Sequence, residues 1–484
     1  MSLSATGQGV TDQGARPPIR IVHLGIGAFF RAFGLAYLEK LNATIPVQHN
    51  RFGVMGVSFR SATIRDALVG QDFVYTALER GADGDVARTI SSLCDVAFSR
   101  EEQSLILAQM ADAKVSIVSL TITEKGYCHH DGALDLAHPD IAHDIANPED
   151  PVSAPGYIVA ALAMRREAGI APFTCLSCDN LSDNGRLLAH VVGEIAERID
   201  PELAIWIKTE VRFPVTMIDR IVPATTDADR AHVATIIGHE DYAPVIHEPF
   251  SQWVIEDNFG ALGRPDFGAV GAQMVADVAP FESMKLRCLN GSHTALAILG
   301  SLHGKVTVSE AIDDPALSNF VDNLWRQEIC PSVDVPDGVD IGAYCHALRE
   351  RYRNASIVHH MSQIAMDTSK KLPPRVLAPL ADNLKAGRPF SSLCLILAGW
   401  KFFIRSAHEA GDIINDPLAD RFGSIINDTL DTNSYVKAML AIDSIFKPDV
   451  IGNDDVVNAI MDWYRQIETD GIEACLRLAA KETK

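Results

Sequence analysis

Apolar positions in the first half of the chain come in short runs separated by polar turns. Ile19–Leu24 (Ile-Arg-Ile-Val-His-Leu) reads as a strand. It enters the segment Gly25-Ile26-Gly27-Ala28-Phe29-Phe30-Arg31, followed by a helical pattern over residues 32–41. Strand patterns at 52–59, 115–122 and 173–178 alternate with helical ones at 62–69 and 158–167. Such alternation predicts a parallel sheet covered by helices. From 213 to 259 the pattern is mixed, with Pro214, Pro223, Pro244 and Pro249 among strand-like pieces, as in an elaboration of the same domain.

Past about residue 280 a period near 3.6 dominates, predicting helices at 284–302, 317–328, 342–352, 393–407, 435–445 and 455–467. The expected fold is therefore an α/β N-terminal Rossmann-type domain with a parallel-rich sheet plus a mostly α-helical C-terminal domain. The boundaries are 19–280 for the dinucleotide-binding domain and 281–484 for the helical substrate domain. Residues 1–18 are polar and form a disordered lead-in.

Composition narrows the class. A chain of 484 residues with 47% apolar content is long enough for two cores. A net charge of -21 argues against nucleic acid or an anionic membrane as partner. No apolar run reaches spanning length, and the first residues lack a signal-peptide core. Nine cysteines without a paired framework fit a reduced, cytoplasmic protein, a monomer or small homo-oligomer. Cys175 and Cys178 form a CxxC inside a strand pattern with no second pair, which reads as structural.

The glycine turn at Gly25 and Gly27 follows a strand and opens a helix, the setting in which backbone N–H groups meet a pyrophosphate. Phe30 stands where the third glycine of the usual fingerprint would be. At the end of the second strand, Ser58-Phe59-Arg60-Ser61 carries no carboxylate for a ribose, and Arg60 suits adenine or a 2′-phosphate, so NAD is expected with NADP not excluded. Polar groups also fall at other strand ends: Thr121-Ile122-Thr123-Glu124, Ser177-Cys178-Asp179-Asn180, Asp219-Arg220 and Glu256-Asp257. The last two pairs read better as braces or loop caps than as catalytic groups.

The densest chemistry lies in Phe281 to His293. On an α-helical wheel Lys285 and His293 are about 80° apart, Glu282 is within about 20° of His293, and Asn290 closes a wedge of roughly 140°. Flanking apolar residues bury such a helix, and desolvation favours a neutral lysine. A neutral Lys285 accepts a proton from an alcohol, Asn290 and His293 hold its oxygen, and Glu282 relays the proton to solvent. With a nicotinamide, that set suffices for hydride transfer without a metal.

The sequence resembles the polyol-specific long-chain dehydrogenases, the family of mannitol 2-dehydrogenase and fructuronate reductase. The likeness runs from Ile21-Val22-His23-Leu24-Gly25 to the C-terminal helices and includes Lys-x4-Asn-x2-His at Lys285, Asn290 and His293. It implies a Rossmann domain, a helical domain, a site between them, and metal-independent chemistry with Lys285 as general acid/base. Nucleotide contacts are expected from Gly25, Gly27, Phe29, Arg31, Arg60, Thr121 and Glu124, and the resemblance also implies a substrate contact from Asn180. Segments 119–128, 252–259 and 363–367 look closest to fructuronate reductase (D-mannonate oxidoreductase). Gln363 stands where mannitol dehydrogenases tend to carry Arg, and Lys371 aligns with a substrate lysine. Lys370, Lys371 and Arg375 offer cations to a uronate carboxylate. The expected substrate is thus a sugar acid, D-fructuronate/D-mannonate. Mannitol or another polyol is the alternative, and a non-catalytic dinucleotide-binding protein the remote one.

Overall fold

The structure is a computed structural model that describes residues 16–46, 51–130, 132–429 and 431–481. Of the expected lead-in, residues 1–15 lie outside the described residues. Arg16 is anchored rather than loose: it donates to the Cys94 carbonyl at 2.8 Å and pairs with Asp72. The chain divides into two compact units, residues 1–278 and 279–484.

The first unit is built on five parallel strands, β1 (Ile19–Leu24), β2 (Gly53–Ser58), β3 (Leu93–Phe98), β4 (Ile117–Leu120) and β5 (Thr174–Ser177). Their order is β3-β2-β1-β4-β5, with Val22 opposite both Met55 and Val118. The order reverses at β1, so a crevice opens between β1 and β4 at the carboxyl ends of the strands. Alternate side chains point to opposite faces. Val22, Val118 and Cys175 enter one apolar layer, with the helices Ala154–Glu167 and Asn184–Ile199. Ile21, Ile117 and Leu176 enter the other, with Gly34–Thr44 and Trp253. Cys175 and Cys178 are buried free thiols.

Two local departures from the sequence pattern bear on the site. The helix expected at 32–41 is two, Ala28–Ala32 and Gly34–Thr44, broken at Phe33. Gly34 permits the break, since a Cβ there would sit 2.2 Å from the Phe30 ring. The strands Tyr75–Gly81, Gly84–Ile90 and Leu93–Phe98 were not anticipated. The first two form a hairpin that pairs with Val245–His247; its charged outer positions mask the apolar alternation. Within the mixed region, Thr216–Asp219 and Gln252–Glu256 pair antiparallel and are joined by Gln273–Val275.

The second unit is helical. Its buried axis is Ser391–Ala410, which packs against Asp454–Asp470. The single α-helix expected over 284–302 is instead Ala279–Met284 (α), Lys285–Gly291 (π), Ser292–Ala295 (α) and Leu296–Gly300 (π). The helix expected over 317–328 likewise turns from α (Pro315–Leu324) to π (Trp325–Ile329), and that over 435–445 is Thr432–Leu440, ending earlier than expected. Among the described residues, no helix is long and apolar enough to cross a membrane.

Candidate active site

In the first unit the chemistry gathers where β1 ends. The turn is fastened by backbone bonds, Gly25 N–H and Ile26 N–H both donating to the Val57 carbonyl at 2.8 and 3.1 Å. Gly25 has φ +93°, and a Cβ there would lie 2.2 Å from the Thr121 carbonyl oxygen, so only glycine fits. At Gly27 the nearest atom to an added Cβ is 3.9 Å away.

His23, fully buried on β1, ties this turn to β4. Its Nδ1 lies 2.9 Å from Ser119 Oγ and its Nε2 3.0 Å from Thr121 Oγ1. Thr121 Oγ1 donates its one proton to the Gly25 carbonyl at 2.9 Å. The bond to Nε2 must therefore run from the ring, which assigns the Nε2–H tautomer and leaves Nδ1 accepting from Ser119. Burial holds this imidazole well below its usual pKa, and its ring stacks on Phe30 at 3.3 Å.

A cavity of about 1060 Å³ opens at these strand ends, lined by Gly25, Gly27, Arg31, Arg60, Thr121 and Tyr157 among others. Its residues fit a dinucleotide. The helix beginning at Ala28 has no side-chain cap, so its first N–H groups are available to a phosphate. The Arg31 guanidinium donates through one nitrogen to the Ala243 carbonyl at 2.5 Å, while its buried Nε has no partner among the described residues. Arg60 is exposed on the rim. Two further expected contacts are not among the residues that line it. Phe29 stacks on Phe33 at 5.1 Å, and Glu124 is exposed on Thr123–Gly126, whose cavity-lining residues are Thr123, Lys125 and Gly126.

Asn180 is exposed just past β5. Its neighbour Asp179 has a role that the sequence did not reveal. This buried carboxylate accepts from Ile122 N–H at 3.1 Å, Thr123 N–H at 2.8 Å and Tyr127 OH at 2.9 Å. It thereby holds Thr123 in the left-handed region at φ +63°. Burial raises the Asp179 pKa, against the pull of those donors. The other strand-end groups are braces. Arg220 binds the Ala32 and Phe250 carbonyls, Glu256 binds Arg186 and Val215 N–H, and Asp257 pairs with Arg264.

In the second unit Lys285 and His293 are 7% and 8% exposed, with Glu282 and Asn290 half-buried. The α-helical wheel does not apply here, because Lys285–Gly291 is π-helical. In a π turn the hydrogen bond spans i to i+5, so residues five apart lie one above the other. Lys285 and Asn290 have that spacing, and the wide wedge of an α-helix collapses to a narrow face. The carbonyls of this stretch are supported by side chains. Cys288 O accepts from Ser292 Oγ (2.5 Å) and Trp325 Nε1 (3.0 Å), and Leu289 O accepts from Tyr352 OH (3.0 Å).

His293 stacks on Tyr352 at 4.5 Å and meets the edge of His359 at 5.1 Å. Burial first, then His359, Arg351 and Arg375, hold it well below its usual pKa, so the ring is neutral. Its Nε2 is buried with no hydrogen-bond partner among the described residues. Arg375, on the π-helical Pro373–Leu377, donates to Thr294 Oγ1 at 3.1 Å, next to His293 in sequence. Burial lowers the Arg375 pKa to about 10. Lys371 donates to the Ile364 carbonyl at 3.0 Å, and Lys370 and Gln363 are exposed. Tyr352 and His359 gave no sequence signal, because both lie in patterns of ordinary helix and loop.

Both units match family models, residues 19–267 the mannitol dehydrogenase Rossmann domain and residues 277–468 the mannitol dehydrogenase C-terminal domain. The chain belongs to the mannitol dehydrogenase family and is an oxidoreductase of that family. It is 42% identical to a D-mannonate oxidoreductase of Escherichia coli (strain K12), covering 94% of this chain and 95% of the relative. A mannitol 2-dehydrogenase of Aspergillus terreus is 36% identical over 93% and 91% of the two chains. The solved Pseudomonas fluorescens mannitol 2-dehydrogenase, a ternary complex with NAD and D-mannitol, is 33% identical. It covers 96% of this chain and 95% of its own, with a TM-score of 0.82.

Proposed function

We propose that this chain interconverts D-fructuronate and D-mannonate with NAD, using Lys285 as general acid/base. The carrying observation is the orphaned, buried Nε2 of a neutral His293 on the helix that also buries Lys285. A buried polar atom without a partner is costly, and a substrate oxygen supplies the missing bond. Asn290, one π turn from Lys285, supplies an amide to the same oxygen. Buried Lys285 takes the hydroxyl proton as the alcohol is oxidised and returns it on reduction. Half-buried Glu282 passes that proton to solvent. Bound nicotinamide accepts or supplies the hydride. Gly25, Gly27, Arg31, Arg60 and Thr121 hold the dinucleotide, and Phe29 and Glu124 adjoin them in the sequence.

The sugar-acid reading rests on Arg375, whose guanidinium is tethered to Thr294 beside the reactive helix and offers a carboxylate a planar pair of donors. Lys371, Gln363 and Asn180 complete the proposed substrate contacts. The 36% identity to a mannitol 2-dehydrogenase supports the second reading, a polyol 2-dehydrogenase. Rates with fructuronate, tagaturonate and fructose, and with mannonate and mannitol in reverse, each with NAD(H) and NADP(H), separate the two. Fastest turnover of fructuronate with NADH is expected. A preference for the uncharged sugars moves the assignment to the polyol reading, and tight NADH binding with no turnover would make the chain a non-catalytic binder.

A further inference from the structure

Behind the proposed catalytic helix three thiols converge from three different segments. Cys288 lies on the π-helical Lys285–Gly291, Cys330 opens the turn Cys330–Ser332, and Cys345 lies on Ile341–Arg353. Their sulfurs all fall within 4.8 Å of one another, and Cys330 and Cys345 are 3.6 Å apart. A tetrahedral thiolate site with metal–sulfur bonds of about 2.3 Å has sulfurs about 3.8 Å apart along each edge. One edge is therefore already formed, and closing the other two moves a sulfur by no more than about an ångström. Cys330 is half-exposed, and both it and Cys345 line a cavity of about 950 Å³ that also takes in Trp325 and His346.

The geometry points to a binding site for one thiophilic d10 cation, of the Zn²⁺ or Cd²⁺ class, held by Cys288, Cys330 and Cys345 with a water as fourth ligand. Three soft donors select such an ion over Mg²⁺ or Ca²⁺, which prefer oxygen. Binding converts each thiol to a thiolate and releases the protons to solvent, so affinity rises with pH. An ion here ties the helix bearing Lys285 to Ile341–Arg353 without touching the reactive face.

The test uses the whole chain, kept reduced with a phosphine and titrated with Cd²⁺. One equivalent per chain is expected to give an ultraviolet sulfur-to-metal charge-transfer band and to raise the unfolding temperature. Zn²⁺ should displace the Cd²⁺, and Mg²⁺ should not. Cys330→Ser, at the half-exposed position, should fold as the wild type does and weaken binding at least tenfold; Cys345→Ser should do the same. An unchanged band in Cys330→Ser would overturn the site, as would absence of a band in the wild type. Loss of two free thiols to a peroxide as a Cys330–Cys345 disulfide, with no Cd²⁺ bound by the reduced protein, would replace it with a redox pair.

Discussion

His23 in the first unit and His293 in the second are both buried imidazoles, and both are kept neutral by burial. Their surroundings differ in one respect. Both nitrogens of His23 are bonded, to Ser119 and Thr121, and the bonds continue to the Gly25 carbonyl. The Nε2 of His293 has no partner among the described residues. A saturated polar network fixes a backbone before any ligand arrives, whereas an unsaturated buried group leaves a hydrogen bond for a ligand or a water to make. The first histidine is thus read as architecture beneath a nucleotide turn, and the second as part of a reacting surface.

The largest effect expected from breaking this contrast falls on the second unit. Lys285→Ala removes the proposed base and should lower kcat by about 10²–10⁴-fold, the usual contribution of a positioned acid/base group. The fold should survive, as judged by circular dichroism, because the change shortens a side chain without adding a polar group. Wild-type turnover in that variant would remove Lys285 from its assigned role. The same variant should still bind NADH in a fluorescence titration, since the glycine turn is built independently of it.

A smaller effect is expected at the turn, where the two glycines differ. Gly25→Ala meets the Thr121 carbonyl at 2.2 Å and adopts a positive φ, so it should cost about 1–3 kcal/mol of stability and weaken NADH binding. Gly27→Ala, with 3.9 Å of clearance and an extended φ of -78°, should cost much less in a urea unfolding experiment. Equal losses at the two positions would mean that the Gly25–Thr121 contact does not hold the turn.

How far these features could be read from the sequence depended on whether they obey a simple period. β1 was legible in full, because its run is purely apolar apart from Arg20 and His23 and stops at a glycine. The hairpin Tyr75–Ile90 was not, because Glu79, Arg80, Asp85 and Arg88 crowd its outer positions. The polar set Lys285, Asn290 and His293 was visible as residue types, but its geometry was misjudged. A run such as Lys285–Gly291 looks the same at 3.6 residues per turn as at the wider π period, and the donors that meet its Cys288 and Leu289 carbonyls, Trp325 and Tyr352, lie far along the chain. Asp179 was in view within Ser-Cys-Asp-Asn, yet what it holds is a backbone turn 56 residues earlier, and no local pattern reports that.

The smallest and most direct test replaces each histidine by phenylalanine, which keeps a ring at the site and removes the nitrogens. At about pH 7.5 both imidazoles are already neutral, so no charge is lost in either variant. His23→Phe leaves the Ser119 and Thr121 hydroxyls without their ring partner and should cost about 1–3 kcal/mol in urea unfolding. His293→Phe leaves Tyr352 a ring to stack on and removes no bond at Nε2, so its cost should be near zero. Acid then provides a second axis. Each folded-state pKa is depressed below 6.5, so below that pH the unfolded chain binds a proton that the folded chain refuses, and stability falls as pH drops. The loss is about 1.4 kcal/mol per pH unit for each such histidine. His247, lowered to about 4 chiefly by burial, adds the same trend between those limits. Both variants should therefore be less acid-sensitive than the wild type between about pH 6.5 and 5.5, by one histidine each, while differing at about pH 7.5. Equal costs for the two at the higher pH would erase the distinction between a saturated and an unsaturated imidazole, and with it the argument that His293 waits for a substrate oxygen.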